Sequence, residues 1–152
     1  MNKIILSIVG LVVLSGCAAT APLETPSGRP EATINADKAT VKAEMLNRSV
    51  NAGWQITRES ESMVIVQKVN PSIMANVLLG SQWDPTTELR IVYTMVAAGS
   101  RTRVVADASI ITNEGTAFER VMPITNNKQN EMIRLELENL KTYVEHHAKK
   151  AA

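Results

Sequence analysis

The stretch "ELRIVYTMVAAGSRTRVVADASIIT", residues 88–112, decides the fold. Two runs rich in Val, Ile, Thr and Tyr flank Gly99-Ser100, and neither contains a proline. β-Branched and aromatic side chains suit a pleated, half-buried surface. A glycine-led dipeptide between two such runs is the signal of a tight hairpin. The stretch therefore predicts two long antiparallel strands, and the rest of the domain is arranged around them.

Working outward, "WQITRES" (54–60) and "SMVIVQKV" (62–69) predict a second strand pair turning at Ser60 to Ser62. "EATIN" (31–35) predicts a short strand before them, and "AFERVMPI" (117–124) another after the hairpin. Two helices complete the pattern. The first starts at an N-cap on Asn35 or Asp37, runs to about Ala52 and stops at Gly53. Its apolar stripe is Ala39, Ala43, Leu46 and Val50, widened by Val41 and Met45. The second runs from Asn127 to about Lys149, with Ile133, Leu137, Leu140, Val144 and Ala148 in one apolar line. Its glutamates come early and its lysines late, as the helix dipole favours. The expected fold is α+β: an antiparallel sheet of four to six strands against one or two helices, in the order β-α-β-β-β-β-(β)-α.

Ahead of this domain the chain has three zones: a polar head with Lys3, an almost wholly apolar run from Ile4 to Leu14, then Ser15, Gly16 and Cys17. A transmembrane helix needs roughly 20 apolar residues, about twice this run, so residues 1–16 read as a signal peptide. Leu14-Ser15-Gly16-Cys17 resembles the lipobox of bacterial lipoproteins. The resemblance implies that Cys17 receives a diacylglycerol, becomes the first residue after cleavage and is acylated again, for example by palmitate. Cys17 is also the only cysteine, so a disulfide framework is excluded. Ala18, where an aspartate would favour inner-membrane retention, points to the periplasmic leaflet of the outer membrane. Residues 17–29, with Pro22, Pro26 and Gly28, read as the lipidated N-terminus and a flexible tether. Extended from Ala18 to Arg29, the tether reaches on the order of 40 Å. Residues 30–152 form a single domain.

Two further resemblances concern that domain. "GSRTRVVADASIITNEGTAFER" (99–120) resembles a pattern of small bacterial lipoproteins that have a domain but no established chemistry. The element order is similar to the helix-grip modules in the C component of the bacterial β-barrel assembly machinery, a similarity that transfers no functional residue.

Charge gives no direction: 16 Lys and Arg stand against 15 Asp and Glu. With this balance and five aromatic residues, the basic field and stacking platform of a nucleic-acid binder are missing. His146 and His147 are adjacent, so on a helix they point about 100° apart and cannot chelate one ion as an i, i+4 pair does. Asp107 lies in an otherwise apolar strand without a histidine or cysteine placed to work with it. Ser100 and Ser109 lack a nucleophile elbow, and Gly80 and Gly99 stand outside any phosphate loop. No catalytic site, cofactor or metal is expected.

Two surfaces are candidates for binding. "NPSIMANVLLGSQWDPTTE" (70–88) gathers Ile73, Met74, Val77, Leu78, Leu79 and Trp83, as a binding lip, a lid, a lipid contact or a piece of core. Arg101 and Arg103, with Arg90 on the neighbouring strand, share a parity and are candidates for anion contact. The expected function is a lipid-anchored cell-envelope lipoprotein acting as a binding or accessory module in the periplasm. Its expected partners are the membrane, through the lipid on Cys17, and an envelope protein. The alternative is a carrier of a small apolar ligand or lipid in a groove between sheet and helix.

Overall fold

The structure is a computed structural model that describes residues 23–69 and 87–151. In chain order it contains β1 (Glu31–Ile34), α1 (Lys38–Asn51), β2 (Gln55–Glu59), β3 (Met63–Val69), β4 (Thr87–Ala98), β5 (Arg101–Thr112), β6 (Arg120–Pro123) and α2 (Asn127–Ala151). Among the described residues the fold is α+β, a six-stranded antiparallel sheet with two helices, in the expected order. Cys17, the apolar run before it and the whole group from Ile73 to Trp83 lie outside the described residues.

The central hairpin is continuous from Thr87 opposite Thr112 to Ala98 opposite Arg101. Its turn has a positive φ at Gly99 (65°) and not at Ser100, the pattern of a type II′ turn, which matches the right-handed twist of the strands it joins. From β4 the sheet extends through β3 to β2. On its other side β5 is long enough to carry two partners end to end: β1 pairs with residues 102–105 and β6 with residues 109–112. Between them the Ala106 N–H donates to the Pro30 carbonyl and the Ile124 N–H to the Ala108 carbonyl, so the two short strands form one nearly unbroken edge.

Both helices pack on one face of the sheet. Ala32, Ile34, Val64, Val66, Ile91, Met95, Val104 and Ala106 point toward them and bury against Val41, Met45, Leu137, Leu140 and Val144. Val104 opposes Met95, and Ala32 opposes Val104, so alternation alone puts these residues on a common face. In α2 the expected line is buried from Leu137 through Val144, while Ala148 at its end is exposed. The stripe expected for α1 needs correction. The buried row is Val41, Met45 and Ser49; Ala39, Ala43 and Val50 are exposed, and Leu46 lies at the margin. The larger Val41 and Met45 side chains remove more apolar area from water than alanines do, and they set the rotation of the helix. Lys38 and Lys42 flank this row and tie α1 to the β2–β3 turn through Glu61 (2.6 Å) and Glu59 (2.8 Å).

The helix ends follow the sequence closely. The Asp37 carboxylate accepts from the Thr40 N–H at 3.0 Å. At the other end the Trp54 N–H reaches the Ser49 carbonyl and the Gly53 N–H reaches that of Val50, a Schellman motif with Gly53 at φ 76°.

Before β1, the chain from Leu23 to Arg29 is folded into turns rather than running as an extended tether. The Gly28 N–H donates to the Thr25 carbonyl at 2.9 Å, and the Thr25 hydroxyl to the Arg29 carbonyl at 2.7 Å. Proline and glycine, which suggested a spacer, serve here as turn formers.

Candidate functional site

Arg90, Arg101 and Arg103 all point to the sheet face opposite the helices, as alternation requires, but the structure divides them. Arg90 lies opposite Ser109, six residues along β5 from Arg103, which separates the two by about 20 Å at the usual strand rise. Each of these two has found a carboxylate. The Arg90 Nη2 donates to Glu114 Oε1 at 2.8 Å, and the Arg103 Nη2 to Glu31 Oε2 at 2.6 Å. Arg101, at the hairpin end, is exposed and has no ion pair among the described residues.

Glu114 reaches the sheet because the loop after β5 doubles back. Asn113 adopts a left-handed φ of 54° and Gly115 one of 72°, and the Thr116 N–H closes on the Asn113 carbonyl. The same Glu114 oxygen accepts from the amide of Gln67, a side chain on the neighbouring strand that is only 3% exposed, at 2.6 Å. The Gln67 amide, with Glu88 and the Arg90 guanidinium, holds the Glu114 carboxyl below the usual carboxylate range against the opposing push of burial. Among the described residues the buried Arg90 Nε has no hydrogen-bond partner. This knot joins β3, β4 and the loop, and it occupies the cation that would otherwise meet an anion.

A second polar group joins the N-terminal turn to β5. Glu31 Oε2 accepts from Arg103, from the Ser27 N–H at 3.2 Å and from the Ser27 hydroxyl. Burial pushes the Glu31 carboxyl up, but the hydrogen bonds from Arg103 and Ser27 outweigh it and hold the group below its ordinary value. Arg29 donates to Asp107 at 2.7 Å, so the carboxylate singled out within β5 is half-exposed and paired. The strand register accounts for this arrangement. Extending the β1–β5 register by two residues puts Arg29 directly opposite Asp107, and it makes Glu31 and Arg103 diagonal neighbours.

Beside this clamp lies a groove of about 660 Å³ that sequence reading did not anticipate. Its walls are the turn from Leu23 to Pro26, the edge of β1 from Glu31 to Thr33, and Glu131, Arg134 and Glu138 of α2. The α2 side chains follow one another at i, i+3 and i+7, a single ridge of the helix. Arg134 binds Glu131 within that ridge at 2.5 and 2.9 Å.

On α2, the His147 ring stacks on Tyr143 with centroids 4.0 Å apart, and the Arg48 guanidinium lies 4.7 Å from the same tyrosine ring. Tyr93, facing the helices, has its hydroxyl pushed up to about 12 by burial and, secondarily, by the charge of Glu136. Among the described residues no helix is long and apolar enough to cross a membrane, and no group of three or more His, Cys, Asp or Glu side chains is gathered to hold a metal ion.

No protein-family model matches the chain, and no curated protein matches it.

Proposed function

We propose that this protein is a lipid-anchored lipoprotein of the cell envelope whose α+β domain works as a binding or accessory module in the periplasm. The observation that carries this reading is the tetrapeptide Leu14-Ser15-Gly16-Cys17 at the end of a short apolar run. Each buried methylene of an acyl chain contributes about 0.8 kcal/mol, so two or more chains on Cys17 hold a small domain stably to a bilayer.

The ordered turn from Leu23 to Arg29 supports a close association with that surface. Five residues lie between Cys17 and Leu23, and the six Cα-to-Cα steps at about 3.5 Å each span at most about 20 Å. The domain thereby works within a molecule's thickness of the membrane, with the turn and the groove beside it nearest the anchor. A role in binding is favoured because Arg90 and Arg103, on the sheet face opposite the helices, are tied into structural pairs, whereas the groove is walled by three separate segments.

Two measurements test this reading. Cys17→Ala releases the protein from membranes and abolishes lipid labelling; undiminished membrane association would rule out the anchor. Cross-linking in cells, followed by detergent purification and mass spectrometry of proteins and lipids, yields a reproducible envelope partner. A stoichiometric lipid beyond the anchor, with no protein partner, would instead support a carrier.

A further inference from the structure

We infer that the outer edge of β1 is a docking slot for an extended, basic segment of a partner protein, which joins the sheet as a further antiparallel or parallel strand. This rests on the reading of the domain as a binding module, though not on its lipid anchor.

The phase of β1 shows which backbone groups are available. The Ala106 N–H donates to the Pro30 carbonyl, so Pro30, Ala32 and Ile34 direct their backbone groups toward β5, and Glu31 and Thr33 direct theirs outward. Further along, the outward N–H of Asn35 is satisfied by the Glu145 carboxylate of α2 at 2.8 Å. Among the described residues, nothing pairs with the outward N–H and C=O groups of Glu31 and Thr33, and these two residues line the groove. Two residues offering a donor and an acceptor each are the minimal template for strand addition.

The β1 and β2 edges, neither paired further among the described residues, differ in kind. β2 is interrupted by a bulge between Ile56 and Arg58 and carries Arg58 and Glu59, features that discourage edge pairing. β1 is regular throughout its register and sits between two walls, α2 on one side and the N-terminal turn on the other. Such a slot admits a single extended chain about 4.8 Å from β1 and excludes a sheet approaching broadside.

Charge selects the occupant. Glu24, Glu31, Glu131 and Glu138 line the slot against one arginine, Arg134. Glu31 is tied to Arg103 and Glu131 to Arg134, whereas Glu24 has no ion pair among the described residues, and Glu138 has a long contact of 3.9 Å with Lys141 and shares the field of Arg134 without a close contact to it. Glu24 and Glu138 are therefore placed to receive lysine or arginine side chains from the incoming strand. The β1 edge of a second copy would bring the same carboxylates against one another, which disfavours self-pairing.

The test uses the full mature chain in detergent and the probe peptide acetyl-Val-Lys-Val-Lys-Val-amide, with two controls: the same peptide with glutamate for lysine, and one with alternate N-methyl groups that remove its donors. At a peptide concentration ten times its Kd, exchange of the Glu31 and Thr33 amides slows about tenfold. The glutamate peptide binds about tenfold more weakly, as loss of two partly exposed ion pairs implies, and the N-methylated peptide does not protect these amides. Glu24→Lys with Glu138→Lys reverses the preference between the charged peptides while protection of the β5 amides stays constant, which reports an intact fold. Unchanged exchange at both amides, or equal binding of the two charged peptides, would overturn the slot. So would protection already present in the free protein: protection that persists on dilution identifies the chain's own upstream residues as occupant, and protection lost on dilution identifies a second copy. If a partner captured in cells is not displaced by the lysine peptide, the slot is wrong and the binding-module reading stands.

Discussion

Replacing Glu31 by glutamine isolates the clamp between the N-terminal turn and β5. In the native protein the Glu31 side chain is 7% exposed and accepts from Arg103 and from both the N–H and the hydroxyl of Ser27. A hydrogen bond to a charged group contributes about 1.5–3 kcal/mol when well sheltered. Arg103, however, is 39% exposed, and water replaces part of what the guanidinium loses. Glutamine also retains one acceptor oxygen for Ser27. Together these considerations put the loss at about 2 kcal/mol at neutral pH. Because Glu31 titrates below its ordinary value of 4.5, its contribution is complete above that value and disappears as pH falls through the folded-state pKa. Urea denaturation of the two proteins at pH 7 and at about pH 3 measures this directly. The difference between them should be near 2 kcal/mol at neutral pH and should shrink as pH falls below 4.5, with faster exchange of the Ala106 amide in the variant. A difference equally large at both pH values would show that Glu31 acts by shape rather than charge. No difference at pH 7 would show that the turn is not held by this contact.

Other perturbations probe the core. Met95, 1% exposed at the centre of the sheet, should cost about 3 kcal/mol on replacement by alanine, seen as a lower thermal midpoint. Tyr93 stays protonated to about pH 12 in the folded protein, so stability is lost from about pH 10 upward as the unfolded chain ionises first. Tyr93→Phe should flatten that alkaline limb in denaturation curves taken between pH 9 and 12, and an unchanged slope would remove Tyr93 as its source.

The β4–β5 hairpin is legible in sequence because its determinants are local: β-branched runs of equal length on either side of a dipeptide with one glycine. The ends of α1 are legible for the same reason, since Asp37 and Gly53 each act within four residues of themselves. Its buried face is less so. Ala39, Ala43, Leu46 and Val50 give a regular apolar period, but the sheet selects by volume, and Val41 and Met45 win. The polar pairs depend on chain segments far apart in sequence. Glu114 meets Gln67 across 47 residues and Glu31 meets Arg103 across 72, and neither meeting follows from composition or periodicity. Parity puts the three arginines on one face, yet it says nothing of distance along the strand or of carboxylates delivered by loops. The groove is not legible in sequence because its third wall, the Leu23 to Pro26 turn, lies in a proline- and glycine-containing segment with the composition of a spacer.

The position of β1 also bears on how the chain reaches this fold. The hairpins β2–β3 and β4–β5 close over a few residues and form quickly, whereas β1 must wait for a partner strand 72 residues downstream. For a chain that leaves its channel from the N-terminus, the first strand to emerge is among the last to find its place. Until β5 has followed, β1 and the turn before it stay open to chaperones, and their final docking marks completion of the domain.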